Sequence, residues 1–537
     1  MKTNVLYYGD NLGILRDYIP DTSVDLVYLD PPFNSDQDYN VLFAEHGTRA
    51  AAQIKAFEDT WQWDESAARA YEHVVEQGGR IAEAMRAFNS FLGSSDMMAY
   101  LAMMAPRLAE LRRVMKDTAS IYLHCDATAG HYLKMLMDAT FGPEHFRSEI
   151  IWKRTNVHND AKRWSPVADL ILYYGKGDSV TWNPPYTPLS DAHVQSKYAN
   201  KDPDGRKFTL SDMTSPKPRP NMMYDWKGYA SPPLGWRYSK ETMAKLDAAE
   251  RIWYPDSKEK RPRLKRYLDE MPGVVLGNVW TDINPINSQA QERLGYPTQK
   301  PIALLERIIA ASSNEGDVVL DPFCGCGTSI SAAQRLRRNW IGIDITHLAI
   351  GLIKSRLQEE FHDQIAQTYS VLGEPTTVDD AAELAREDHY QFQWWALGLV
   401  GARRDEKKGA DKGIDGRLYF HDEGVGGKTK QVILSVKSGQ LKATDVRDLR
   451  AVIEREKAEL GVLISMEPPT KKMRAEAASA GFYESPWLEK YPRLQLLTVE
   501  ELLGGKRIDY PAPRQTNVTL KRAPRAETPS AGNKRLF

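Results

Sequence analysis

The first group of side chains able to do chemistry sits in residues 24–34, VDLVYLDPPFN. A mostly apolar run ends in Asp30, Pro31, Pro32 and Phe33, which predicts a buried strand stopped where two prolines remove the donors a sheet ladder needs. A carboxylate and an aromatic ring are then left at the strand's carboxyl end, the edge at which open α/β sheets bind ligands. Asp30 can accept one hydrogen of an exocyclic amine, the Pro31 carbonyl can accept the other, and Phe33 can stack on a flat nitrogen base. That set suits methylation of an amine. For the motif alone, a Pro-Pro turn closing a core strand is the alternative.

A second group lies in DVVLDPFCGCGTS, residues 317–329. An apolar strand running into Asp321, with Phe323, Gly325, Gly327 and Thr328 in the turn and a helix behind, predicts a strand-turn-helix nucleotide site. The next strand, NWIGIDI, ends in Asp344 about 20 residues on, where a ribose-binding acid belongs. No basic residue sits in the turn, so a pyrophosphate is poorly served. S-adenosylmethionine fits better, with a carboxylate for the helix N-terminus and a ribose for Asp344.

The third group is in the last third of the chain. GIDGRLYF (413–420) and KQVILSVKSG (430–439) predict a hairpin around HDEGVGGKT. Antiparallel pairing sets Asp415 beside Ser435 and Lys437. Asp415 and the Ser435 backbone could hold magnesium while Lys437 orients water for phosphodiester cleavage. The alternative is an exposed hairpin with ordinary surface charges. GGKT is not a phosphate loop, because Asp422 occupies the first-glycine position and a strand follows.

The elements that must position these groups can be followed along the chain. Residues 3–9 predict a strand and LGILRDYI a helix. An Ala- and Glu-rich helical insertion over 36–97 covers the site, and 98–116 form a further helix. Strands at 120–126, 146–154 and 168–177, with a helix closed by Gly142 among them, complete a catalytic half over 1–177. Residues 178–285 are Pro-rich, aromatic and basic, with Trp226, Tyr229, Trp236 and Tyr254 among Lys217, Arg219 and KEKRPRLKR; this texture suits phosphate and base contact, or else a loop-rich subdomain with its own small core. Residues 286–360 form the cofactor-binding half. A smaller α/β domain spans 378–509, and 510–537 are a disordered tail. Strands alternating with helices imply a largely parallel sheet covered on both faces.

The chain's 537 residues exceed one ordinary core. Seventy-one basic residues against seventy-two acidic ones leave a net charge of -1, so any nucleic-acid contact must come from local patches. Three cysteines, two of them in the glycine turn, make no disulfide framework and no zinc site, and point to a reducing, cytoplasmic setting. No run approaches the roughly 20 apolar residues of a membrane span.

DPPF resembles the (D/N/S)PP(Y/F/W) loop of DNA amino-methyltransferases. DPFCGCGTS looks like their FxGxG cofactor motif, and YPTQKP (296–301) resembles the HPTQKP segment before it, with Tyr296 in place of the usual His. The order of catalytic loop, recognition region and cofactor loop is that of the family's β group. The resemblance implies a Rossmann-like sheet, S-adenosylmethionine as cofactor with Asp10, Thr298 and Lys300 among its contacts, and double-stranded DNA with a flipped target base as substrate. A helix N-cap is an equal reading of Asp10. DPPF favours adenine N6 over cytosine N4, for which SPP is more usual; with no Pro-Cys pair, C5-cytosine chemistry is set aside. The C-terminal layout resembles Mrr-type endonucleases of the PD-(D/E)xK group, with Ser435 where a Glu or Gln is usual. The expectation is an adenine methyltransferase fused to a magnesium-dependent nuclease-like domain in a restriction-modification setting. An N4-cytosine enzyme, a C-terminal domain that only binds DNA, and a methyltransferase for RNA or a small molecule are the alternatives. Monomer and homodimer are both open.

Overall fold

The computed structural model describes residues 1–32, 63–157, 164–287, 290, 292–294, 296, 298–404, 413–422 and 429–511. Phe33, the first half of the expected helical insertion and nearly all of the expected tail lie outside the described residues.

The first half runs β1 (Val5–Tyr8), α1 (Asn11–Tyr18), β2 (Val24–Leu29), α2 (Glu65–Gln77), α3 (Gly79–Leu92), α4 (Asp96–Val114), β3 (Met115–Cys125), α5 (Ala127–Phe141), β4 (Phe146–Lys153) and β5 (Ala168–Gly175). Local chemistry sets the boundaries. Asp64, Ser95 and Asp126 accept backbone amides in the first turns of α2, α4 and α5. Gly142 closes α5 at φ +96°. In α4, Leu101, Leu108 and Leu111 are fully buried, each worth about 1.5–3 kcal/mol over exposure.

Residues 184–277 form a compact unit of their own. It contains β6 (Tyr186–Thr187), α6 (Asp191–Lys197), β7 (Asn200–Lys201), β8 (Lys207–Asp212), α7 (Lys240–Ala248), β9 (Ile252–Trp253), β10 (Arg263–Tyr267) and β11 (Val274–Val275). Four strands make an antiparallel sheet in the order β7-β8-β10-β9. Trp236 is fully buried, and Tyr224, Trp226, Tyr238 and Tyr254 pack on the same small core. Tyr229 is also buried. Several cations are matched from within: Arg206 pairs with Asp269 and Glu270 at 2.9 Å, Arg251 with Glu270 at 2.6 Å, Lys265 with Asp202 at 2.7 Å and Lys227 with Asp247. The expected base-stacking surface is therefore corrected for Trp236 and Tyr229, whose rings build the subdomain. Exposed Arg263 and Arg266 on β10 remain at the surface.

The second half supplies β12 (Val279–Trp280), α8 (Ile302–Ser312), β13 (Val318–Asp321), α9 (Thr328–Arg335), β14 (Asn339–Asp344), α10 (His347–Phe361) and β15 (Ser370–Leu372). Both halves close into one nine-stranded sheet in the order β12-β4-β5-β3-β2-β13-β14-β1-β15. It is the Rossmann-like architecture expected from the alternation of elements. Only β5 runs against its neighbours β3 and β4; all other pairings are parallel. The order makes β2 and β13 neighbours, so the carboxyl ends carrying Asp30 and Asp321 lie side by side.

The C-terminal elements are α11 (Val378–Glu387), α12 (His389–Leu399), β16 (Arg403–Arg404), β17 (Gly416–Phe420), β18 (Lys430–Lys437), α13 (Ala443–Glu456), β19 (Leu460–Ser465), α14 (Lys471–Ala478), β20 (Phe482–Glu484), β21 (Lys490–Pro492), β22 (Leu494–Thr498) and α15 (Val499–Leu503). Their five-stranded sheet, β16-β17-β18-β19-β22, buries one core against α11, α12 and α15 and another against α13 and α14. Among the described residues no helix is long and apolar enough to cross a membrane.

Candidate active site

Asp30 follows β2 directly, with its side chain 16% exposed, and the Lys300 ammonium is paired with its carboxylate. Sequence reasoning gave Lys300 to the cofactor; the structure turns it toward Asp30. Thr298 stands two residues earlier and offers its backbone carbonyl to the same ammonium at 3.5 Å. Pro31 is buried and Pro32 half-buried, so the turn is fixed from below.

The glycine turn lies one strand over. Gly325 and Gly327 have φ of +48° and +73°, and a Cβ on Gly327 would lie 2.7 Å from Ile353 Cγ1. Left-handed backbone and close approach both require glycine there. The Asp344 carboxylate accepts the Gly325 amide at 2.8 Å, the Thr346 amide at 2.9 Å and the Thr346 hydroxyl at 2.8 Å. Asp321 accepts the Phe323 amide at 3.0 Å and the Ser329 hydroxyl. Burial pushes the Asp321 carboxyl up to about 7 and Asp344 up to about 6, against the hydrogen bonds that favour ionisation. Beneath the turn, Arg356 donates to Thr328 Oγ1 at 3.0 Å and pairs with buried Glu360 at 2.9 Å.

Asp10 occupies the N-cap position of α1 but caps nothing with its side chain. It pairs with Arg107 of α4 at 2.5 Å. Arg107 also donates to Asn11 Oδ1 at 2.6 Å, and Asn11 donates to the Pro322 carbonyl at 2.8 Å. A chain of polar contacts thus ties the end of β1 to the Asp321 turn. Neither Arg107 nor Asn11 was visible from sequence, because nothing local marks a partner on another element. Tyr296 was noted only as a departure from His; its ring sits where a Cβ on Gly325 would meet Cε1 at 3.3 Å.

These features fit S-adenosylmethionine: a glycine cradle too tight for a Cβ at Gly327, a helix N-terminus, and two desolvated carboxylates at adjacent strand ends. The C-terminal residues fit magnesium poorly. The Asp415 carboxylate accepts the Val436 amide at 2.6 Å and the Ser435 hydroxyl at 3.1 Å, as the hairpin register requires. Ser435 is paired with Leu463 of β19, one residue past the last β17 pairing at Leu434, and Lys437 ends its strand half-buried. Among the described residues no three acidic, histidine or cysteine side chains group to hold a metal.

The sequence profile of the DNA methylase family matches residues 24–355, which include both strand ends and the glycine turn. The chain belongs to that family. The methylase is 30% identical over 357 residues to the type II methyltransferase M.EcaI of Enterobacter cloacae, an alignment covering 66% of this chain and 69% of the relative. It is 28% identical to the StyLTI Mod subunit of a type III restriction-modification enzyme of Salmonella typhimurium, covering 62% of this chain and 50% of the relative. Over 88 residues, 16% of the chain and 30% of the relative, it is 47% identical to the DNA adenine methyltransferase YhdJ of Escherichia coli. Among solved structures, the PvuII DNA methyltransferase, cytosine-N4-specific, aligns at 12% identity and TM-score 0.32, covering 69% of the methylase and 95% of that chain. Residues 390–504 match the profile of the NACHT-associated inactive Restriction Endonuclease 1 family.

Proposed function

We propose that this chain methylates the N6 amine of adenine in double-stranded DNA within a restriction-modification setting, with S-adenosylmethionine as donor. The observation that carries the reading is the placement of Asp30 beside the Asp321 glycine turn, with Lys300 paired to it. Asp344 and the turn from Phe323 to Thr328 would hold the cofactor, which supplies a methyl group on a sulfonium. Asp30 and the Pro31 carbonyl accept the two amine hydrogens and so aim the nitrogen lone pair, while Phe33 clamps a base flipped from the duplex. The methyl group would pass directly to the nitrogen as its bond to sulfur breaks and a thioether is left, and one of the two amine hydrogens would then leave as a proton. Adenine is favoured over cytosine by the DPPF residues and by the likeness to YhdJ. Incubating the protein with methyl-labelled cofactor and DNA, then separating nucleosides, tests this: label on N6-methyladenine is expected, and label on N4-methylcytosine overturns the base assignment.

For the C-terminal domain the reading favoured is a restriction-endonuclease fold that binds DNA without cutting it. Asp415 is engaged by the backbone of β18, Ser435 replaces an acidic or amide ligand, and the matching family is described as inactive.

A further inference from the structure

Two buried polar groups near the carboxyl edge of the sheet are left unused by the methylation reading. One is complete in itself: His124 meets the Tyr28 hydroxyl through Nδ1 and Asp169 through Nε2, each at 3.0 Å, and the Arg154 guanidinium stands 3.2 Å from Asp169 as its cation. The other, Arg107 of α4, is not explained by packing. Its side chain is 14% exposed, and it directs three donors to three separate acceptors: Nη2 to Asp10 Oδ1 at 2.5 Å, Nε to Asn11 Oδ1 at 2.6 Å and Nη1 to the Met103 carbonyl at 2.9 Å. Taking a guanidinium out of water is costly, and a rigid planar fork divided in this way fixes whatever it holds.

What it holds is out of its ordinary place. Asp10 occupies the N-cap position of α1, where a carboxylate normally accepts a first-turn amide, and its side chain accepts none. Arg107 holds it across on α4 instead. Among the described residues only Oδ1 is engaged, and 52% of the side chain stays exposed. Strand order says what the second oxygen faces. Gly9 donates its amide to the Asp344 carbonyl at 3.0 Å and Asn11 donates to the Pro322 carbonyl at 2.8 Å, so Asp10 is bracketed by contacts to the glycine turn and to the acid proposed for the ribose. Crossing the edge in the order β13, β14, β1, a cofactor with its carboxylate at the turn and its ribose on Asp344 lays its base over the end of β1. A carboxylate oxygen only accepts, so it suits a base edge that offers an amine hydrogen and repels one that offers a carbonyl.

We propose that Arg107 is a positioning residue which, by holding Oδ1, aims Oδ2 of Asp10 at the exocyclic amine of the cofactor's adenine and so sets the preference for that base. The proposal rests on the cofactor part of the methylation reading, but binding tests it without turnover. Calorimetry on the full chain compares S-adenosylhomocysteine with its 6-oxo analogue, in which a carbonyl replaces the amine. Wild type is expected to favour the amine by roughly 10- to 100-fold, since a hydrogen bond to a charged group gives way to two facing acceptors. Asp10→Asn carries the sharper expectation. Arg107 keeps the amide oxygen at position 10, the amide nitrogen turns to the ligand, and the preference reverses toward the 6-oxo base. Adding Arg107→Lys to that variant should abolish the reversal, because one nitrogen cannot hold three acceptors. Arg107→Lys alone should cut the wild-type preference by at least about fivefold. An arginine that merely staples α4 to α1 would lower both affinities together. An unchanged ratio in Arg107→Lys, or a preference for the amine that persists in Asp10→Asn, therefore overturns the proposal. Should the Arg107 variant not fold, Asp10→Asn, which keeps the size of the side chain, decides alone. Wild type binding both ligands equally would sink the base assignment and leave the cofactor site standing, whereas wild type binding neither would bring down the cofactor reading as well.

Discussion

Asp30 and Lys300 form an ion pair across 270 residues of sequence, joining the end of β2 to the segment just before α8. The contact makes the two halves one site. With Asp30 proposed to receive the target amine and not the cofactor, Asp30→Ala is expected to lower methyl transfer by about 100- to 1000-fold, the scale seen when one preorganised polar group is lost. Calorimetry should find cofactor affinity within about threefold of wild type. A matching loss of cofactor binding would place Asp30 in the wrong role.

Asp344 holds the Gly325 amide and is also the acid proposed for the ribose. Asp344→Ala removes charge-assisted bonds worth about 1.5 to 3 kcal/mol each, so cofactor binding should weaken by at least about tenfold. Its carboxyl sits at about 6, so the ionised, accepting form grows as pH rises through that value. Cofactor affinity of the wild type should therefore tighten between pH 5 and 7.5, read by calorimetry. A flat profile speaks against Asp344 as the ribose acid.

Stability should move the other way for Asp321. Its folded value of about 7 exceeds the ordinary 3.8, so the folded protein keeps a proton the unfolded chain has lost. The contribution is fully present below about pH 4 and is lost as pH rises through 7. Asp321→Asn cannot ionise, so its stability relative to wild type should improve from pH 5 to 8 by on the order of 2–4 kcal/mol. Paired thermal melts at the two pH values measure this, and a difference independent of pH would contradict it.

Gly327→Ala tests the cradle. A left-handed φ costs an alanine about 1–2 kcal/mol before the 2.7 Å approach to Ile353 is counted. The variant should melt at lower temperature and bind cofactor more weakly, whereas Gly351→Ala, with open space around the added carbon, should do neither.

Purified protein with magnesium is expected to leave unmethylated plasmid intact, and Asp415→Ala and Lys437→Ala should not differ from it. Cutting by the wild type that both variants abolish would return the domain to the nucleases.

Much of this was legible in the residues. Proline pairs, glycine turns and apolar runs act over a few positions, so β2, β13, β14 and their terminal acids could be read directly, and so could the hairpin that sets Asp415 against Ser435. What escaped was decided by strand order. His124 and Asp169 look like ordinary strand residues until β3 and β5 are known to be neighbours, and Arg107 looks like a surface arginine on α4 until Asp10 is found beside it. In the aromatic and basic stretch the sequence could not show which cations are matched from within: Asp202, Asp247, Asp269 and Glu270 lie in the same segment but reach Lys265, Lys227, Arg206 and Arg251 only after folding.

Asp25 of β2 accepts the Val318 amide of β13 from 293 residues away, so one edge of the central strand has no partner when it leaves the ribosome. At roughly 5–20 residues per second, that edge waits about 15 to 60 s for β13 to be made. During this interval VDLVYL is an apolar strand with one side open, the kind of segment that pairs with the wrong chain. Asp25 is its only charge, already matched by Lys116 at 2.8 Å from β3, which is made long before β13. Placing a whole compact unit, residues 184–277, between the two halves of the sheet in the sequence therefore gives nascent chains a long period of risk, and crowded polysomes are where this protein should be most prone to aggregate.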